Sequence, residues 1–201
     1  MIRLLLADDQ ALVRGALSAL LSLEPDLEVV AEVSTGDAVL AAVFEHRPDV
    51  ALLDVEMPGL DGISAAAAVR REAPDTRVLI VTTFGRPGFL RRALQAGASG
   101  FVVKDTPAAQ LADAVRRVHQ GLRVVDPVLA MDSLAFGDSP LTPRETEVLR
   151  AARDGAAVQV VARRVHLSEG TVRNHLSGAI GKTGATNRSE AVNIADAHGW
   201  L

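Results

Sequence analysis

The 201-residue chain contains no cysteine. Disulfides, thiolate-ligated zinc and thiol nucleophiles are thereby excluded, and a reducing compartment suits the sequence. It also lacks any apolar run of membrane-spanning length, and the hydrophobic part of MIRLLLADD is too short for a signal peptide. A cytoplasmic location and no membrane partner are therefore expected. Internal repeats and low-complexity tracts are absent too, apart from the alanine run at 65–68.

What the chain has is apolar mass. Hydrophobic residues make up 48%, enough for a sizeable core, and this length serves one large domain or two small ones. The net charge of −4 is unevenly spread. Residues 140–201 carry eight Lys/Arg against six Asp/Glu, whereas residues 1–139 carry thirteen against nineteen. An acidic first part and a mildly basic last part suggest two modules with different partners.

Residues 1–121 alternate in character. β-Branched and leucine-rich runs at 2–7, 27–33, 49–54, 76–84 and 99–104 interleave with helical stretches. In ALVRGALSALLSL, for example, Leu12, Val13, Ala16, Leu17, Leu20 and Leu21 recur at three- and four-residue spacing. Five strands alternating with five helices predict an α/β fold: a doubly wound, five-stranded parallel sheet with right-handed crossovers. The flavodoxin-like strand order 2-1-3-4-5 is taken over from that fold class, which places its functional crevice at the carboxyl ends of the strands. Residues 122–139 lose the rhythm and contain Pro127, Gly137 and Ser139. They read as a linker with a short helix at DPVLAMDSL. From 140 to 201 everything reads as helical. Thr142, Pro143 and Glu145 form a start signal with a capping box. Two further helices flank the break HLSEG, where Ser168 is the expected N-cap, and a last helix spans about 189–198. Two helices separated by such a break predict a helix-turn-helix within an all-α, four-helix module.

Polar residues mapped onto the strand ends form a cluster. Asp8 and Asp9 close strand one, Asp54 strand three, Thr82 strand four and Lys104 strand five. Three carboxylates in one crevice repel unless a cation joins them, and oxygen-only ligation with room for waters suits Mg²⁺. Asp54 would be a metal ligand and also a nucleophile able to form an aspartyl-phosphate. Lys104 and the Thr82 hydroxyl suit the remaining phosphoryl oxygens. Taken singly each residue has a bland reading, with Asp9 a helix cap and Lys104 a surface lysine. Five at the appropriate strand ends are much harder to dismiss.

DD at 8–9, D-x-x-M-P-G-x-D-G at 54–62, TT at 82–83 and G-x-V-x-K-D at 100–105 resemble the receiver domain of two-component response regulators across residues 1–121. The resemblance implies phosphotransfer from a cognate histidine kinase to Asp54. It also implies Mg²⁺ held by Asp9, Asp54 and the backbone carbonyl of Glu56, with Asp8 acting mainly through waters. Thr82 and Phe101 would be the switch pair. Many receivers have a cis proline after the lysine; here Asp105 follows. A cis bond before a non-proline residue costs about 3–4 kcal/mol, so the geometry of Lys104–Asp105 is left open.

In TVRNHLSGAIGK, Val172, Leu176, Ala179 and Ile180 line one face. Arg173 and Asn174 are residue types that bond base edges, and Lys182 and Arg188 suit phosphates. The run LTPRETEVL…LSEGTVRNHLS…NRSEAV resembles the DNA-binding domain of NarL/FixJ (LuxR-type) regulators. The stretch TTFGRPGF narrows the likeness to a subgroup that includes DesR-like members. Carried over, Glu169, Arg173, Asn174 and Ser177 take base-reading or groove-facing positions. Thr171, Lys182 and Arg188 take supporting or phosphate positions, and the last helix mediates dimerisation. Departures stand at Val158, Val160, Gly181 and Thr183, and glycines at 178 and 181 each cost about 1 kcal/mol against alanine in a helix interior.

The expected function is that of a phosphorylation-activated, homodimeric regulator of transcription that binds promoter DNA and is not an enzyme. The alternatives are a constitutive DNA-binding regulator that no longer uses phosphate, and a Mg²⁺-dependent aspartyl-phosphate phosphotransferase. The latter lacks a cap insertion to enclose a substrate.

Overall fold

Leu4, Leu5 and Leu6 are each no more than 1% exposed, which requires that both faces of their strand be covered. The computed structural model describes residues 1–83, 87–126, 129–130 and 139–201. Most of the short helix expected at 126–134, and Arg86 of the loop after strand four, lie outside the described residues.

In the first unit, strands β1 (Ile2–Ala7), β2 (Leu27–Val33), β3 (Val50–Leu53), β4 (Arg77–Thr82), β5 (Gly100–Val103) and β6 (Val124–Val125) alternate with helices. These are α1 (Ala11–Leu21), α2 (Gly36–His46), α3 (Gly62–Glu72), α4 (Pro87–Gln95) and α5 (Ala108–His119). The strands pair in parallel in the order β2-β1-β3-β4-β5-β6. This is the expected order with one strand added. The addition falls in the segment read as linker, where Val124 N–H bonds Ser99 O at 3.1 Å. Two residues are too few for a strand period to show in a sequence.

The continuous apolar strands serve two cores. Leu5, Ala51, Leu53, Ile80 and Phe101 pack with α2, α3 and α4 residues, including Val39, Ala66 and Leu90. Leu4, Leu6, Leu52, Leu79 and Val81 pack with α5 residues Leu111 and Val115 and with Leu21 of α1. Alternate side chains of one strand thus enter opposite layers. On α1 the apolar period is wider than the buried stripe. Leu21 is buried, but Leu12 is 87% and Leu20 44% exposed, and Ala16 is exposed between them.

The second unit contains α6 (Pro143–Ala151), α7 (Val158–Arg164), α8 (Glu169–Thr183) and α9 (Arg188–Ala197). Its core unites Val148, Leu149, Val161, Val172, Leu176, Ala191 and Ala195. The start signals read from sequence are realised. Thr142 Oγ1 accepts from Glu145 N–H at 3.2 Å while Glu145 Oε2 accepts from Thr142 N–H at 2.7 Å. Ser168 Oγ accepts from Thr171 N–H at 3.1 Å. Between α7 and α8 the chain reverses through His166, at φ 53°. Among the described residues no helix is long and apolar enough to cross a membrane.

Replacing Thr142 by Ala removes one partner of the capping box and should destabilise the second unit by about 1 kcal/mol. Chemical denaturation followed by the single tryptophan, Trp200, measures this, and an unchanged midpoint would show that the cap contributes nothing.

Candidate functional site

Because β1, β3, β4 and β5 lie side by side, the residues that end them meet. Asp8 is 3%, Asp54 4% and Thr82 1% exposed, whereas Asp9 is open to solvent. Carboxylate oxygens of Asp8, Asp9 and Asp54 all lie within 4.8 Å of one another. Lys104 Nζ contacts Asp8 Oδ2 at 2.7 Å and donates to Asp54 Oδ2 at 2.9 Å. The second oxygens are also engaged: Asp8 Oδ1 accepts from Gln10 N–H at 2.9 Å and Asp54 Oδ1 from Val55 N–H at 2.7 Å. Asp9 caps nothing, since Gln10 is the N-cap of α1 and makes no side-chain cap bond. The helix-cap reading of Asp9 therefore falls away.

Burial pushes the Asp54 carboxyl above its ordinary value; Lys104 opposes this and the neighbouring Asp8 adds to it. Burial pushes Lys104 down, but its bonds to Asp8 and Asp54 outweigh that and hold it above the ordinary lysine range. One ammonium among three carboxylates leaves an excess of two negative charges. Like charges 4 Å apart near a protein surface repel by about 4 kcal/mol, so a divalent cation is the natural complement. Mg²⁺ takes oxygen ligands, usually one or two carboxylates with waters completing its shell, and the crevice offers three carboxylates close together. The donor set fits that ion.

Glycines maintain the crevice. A Cβ on Gly62 would stand 1.8 Å from the carbonyl oxygen of Asp54, and one on Gly59, at φ +76°, would stand 1.7 Å from Asp37 Oδ2. Asp61, the other acid of the motif, caps α3 by accepting from Ser64 N–H at 2.8 Å. Phe101 is fully buried beside this layer. All peptide bonds among the described residues are trans, Lys104–Asp105 included.

On α8, Val172, Leu176 and Ala179 face the core while Arg173, Asn174 and Ser177 are exposed. Glu169, Arg173 and Ser177 follow at four-residue spacing on one stripe, and Arg173 Nη2 donates to Glu169 Oε2 at 2.9 Å. Thr171 Oγ1 lies 2.8 Å from Ser168 Oγ, a local cap partner. Two residues expected at phosphates also have partners within the protein. Lys182 Nζ donates to Glu145 Oε2 at 2.8 Å. Arg188 donates to the carbonyls of Ala156 at 2.7 Å and Gly155 at 3.0 Å.

Residues 4–116 match the response regulator receiver domain, and residues 139–195 match the bacterial regulatory proteins of the luxR family. The chain is a LuxR-type response regulator. It is 41% identical to the uncharacterized transcriptional regulatory protein YvfU of Bacillus subtilis (strain 168), with 100% of each chain covered. It is likewise 41% identical to the transcriptional regulatory protein DesR of the same organism, again over 100% of each. Among solved structures, the response regulator ChrA of a heme-sensing two-component system aligns with a TM-score of 0.60 at 33% identity, covering 100% of this chain and 98% of that one.

Within this regulator two sequence departures acquire partners. Thr183 Oγ1 donates to the carbonyls of Ala179 at 2.8 Å and Ile180 at 3.1 Å, and Val158 packs against the helical core. Sequence reasoning misses the buried role of Glu145, although its place three residues after Thr142 marks it as a capping partner. Nothing in a linear sequence joins it to Lys182, 37 positions away.

Asp54 is raised in the folded state, so its ionisation costs stability at neutral pH, and this cost fades as pH falls toward its titration. Asp54→Asn should therefore raise the metal-free Tm of the regulator by a few degrees. Mg²⁺ should stabilise the wild type clearly and the variant much less. Equal Mg²⁺ shifts in a calorimeter would place the ion elsewhere.

Proposed function

We propose that the protein is switched by phosphorylation of Asp54 by a cognate histidine kinase in the cytoplasm, after which two copies associate and bind double-stranded promoter DNA. The observation that carries this reading is Asp54 itself, a buried carboxylate with a lysine at 2.9 Å and two further acids within reach, in one chain with a helix-turn-helix.

A carboxylate oxygen of Asp54 attacks the phosphorus of the kinase's phosphohistidine; the P–N bond breaks and its electron pair returns to the imidazole. Asp9, Asp54 and the Glu56 backbone carbonyl would hold a Mg²⁺ ion, with Asp8 acting through water; when bound, that ion neutralises charge on the incoming group. Lys104 gives up Asp54 Oδ2 for a phosphoryl oxygen while keeping Asp8, and the Thr82 hydroxyl binds a second oxygen. Phosphorylation places about −1.5 to −2 charges at this point. Thr82 and Phe101 would relay that change as the switch pair.

α1 supports the association step. It begins two residues after Asp9, and its Arg14 donates to the Asp8 carbonyl at 2.5 Å and pairs with Glu32 at 3.4 Å, so it is tethered to the pocket. Its outward face, Leu12, Ala16 and Leu20, with Leu23 beyond, offers apolar surface to a second copy. On DNA, Glu169, Arg173, Asn174 and Ser177 would face base edges, supported by Thr171. The two copies would engage half-sites about one helical turn apart.

Incubation with Mg²⁺ and a small phosphodonor, followed by intact-mass measurement, should give one phosphoryl adduct on the wild type and none on Asp54→Asn. DNA affinity that is the same for both proteins, with or without donor, would favour constitutive binding instead. The double substitution Leu12→Asp/Leu20→Asp should leave the adduct intact but abolish the phosphorylation-dependent shift to dimer in light scattering. A dimer that persists would move the interface off α1.

A further inference from the structure

Glu145 is 7% exposed, and one of its carboxylate oxygens is held by two donors. Oε2 accepts from Thr142 N–H at 2.7 Å and from Lys182 Nζ at 2.8 Å. Oε1 faces α8, where a Cβ on Gly178 would stand 2.7 Å from it. The carboxyl thus joins the first turn of α6 to the middle and last turn of α8, the helix whose other side carries Arg173, Asn174 and Ser177. Because Oε2 is held from two directions, moving the group aside for a side chain at 178 would strain or break those two bonds. Burial raises its pKa, but the Lys182 and Thr142 contacts outweigh this and leave it below the usual glutamate range. It is charged at neutral pH.

We propose that Glu145 is the positioning residue of the reading helix, with Gly178 admitting its carboxylate and Lys182 fastening the far end of α8 to it rather than contacting DNA phosphate. This rests on the DNA-binding function proposed above and specifies how α8 is aimed. The Glu145 side chain is 9% exposed while Lys182 is half-exposed, so breaking the pair takes from a buried carboxylate one of the two donors that hold it. Sliding or rotating α8 against α6 would separate Oε2 from Nζ, or drive Oε1 into the backbone of α8. The two helix glycines then differ in kind: Gly178 is required by Glu145, whereas Gly181 has nothing within 4 Å of an added Cβ.

The test uses the full-length, donor-phosphorylated protein and duplex oligonucleotides enriched by the wild type from a random library. Stability is read first. In a helix interior alanine is the better residue, so Gly181→Ala should raise Tm; Gly178→Ala should lower it. Two increases would overturn the proposal, whether or not the protein binds DNA. Binding is read second. Glu145→Gln makes the module more positive and releases Lys182, so electrostatics alone predicts tighter binding; the proposal predicts binding weaker by about tenfold. Lys182→Met should weaken binding while the slope of log K against log salt stays unchanged. Loss of a phosphate contact would instead reduce that slope by about 1 with Tm unaltered, and that result would return Lys182 to the DNA. Failure of the wild type to enrich any duplex would refute the DNA-binding function, while the two glycine variants would still decide the role of Glu145.

Discussion

Lys104 holds two buried carboxylates, Asp8 at 2.7 Å and Asp54 at 2.9 Å, at a point where four strands, β1, β3, β4 and β5, end side by side. The interaction exists because the sheet is parallel and β1 lies between β2 and β3. Parallel pairing brings residues 8, 54 and 104 to one edge, and the order makes them neighbours there. It is also incomplete, since one ammonium cannot balance three acids. The hydrophobic burial of the sheet, Leu4 to Leu6 and Leu53 above all, holds these like charges together. On the function proposed above, the residual imbalance is what would make the pocket responsive to a divalent cation and to a phosphoryl group.

How much of this is legible in the amino-acid sequence depends on whether a residue acts through a local pattern. The receiver sheet follows from alternating apolar runs, the pocket from acids and a lysine at the strand ends, and the caps at Thr142 and Ser168 from residues three positions apart. Those features lie within one element or its boundary. Strand β6 does not show, since two valines carry no period. The outward apolar face of α1 does not show either: Leu12 and Leu20 obey the same spacing as Leu17 and Leu21, and only packing against α5 and β2 tells the two stripes apart. For Gly59 and Gly62 the motif is visible but not its reason, which is the nearness of Asp37 and of the Asp54 backbone.

The helical module shows the sharper limit. Lys182 and Arg188 look from sequence like cations offered to DNA, because residue type and helix position are all a sequence displays. In space Lys182 holds Glu145, and Arg188 closes the 155–156 loop by its two carbonyl contacts. Both donate to oxygens of the protein, partners that residue type and helix position do not reveal.

This internal pairing bears on why phosphorylation should control DNA binding at all. Among the described residues, five of the module's eight cations hold a carboxylate: Arg144 with Glu147, Arg153 with Asp196, Arg164 with Asp154, Arg173 with Glu169 and Lys182 with Glu145. Affinity for DNA rises steeply with the number of phosphates neutralised, so a single copy with few uncommitted cations would be expected to bind weakly. Two copies joined on one duplex add their contacts, and the second engages at the high effective concentration set by the first. A module that bound tightly alone would gain little from dimerisation and could not be switched by it. On the proposed switch, weak individual charge is therefore what would let a change at Asp54 decide whether DNA is bound.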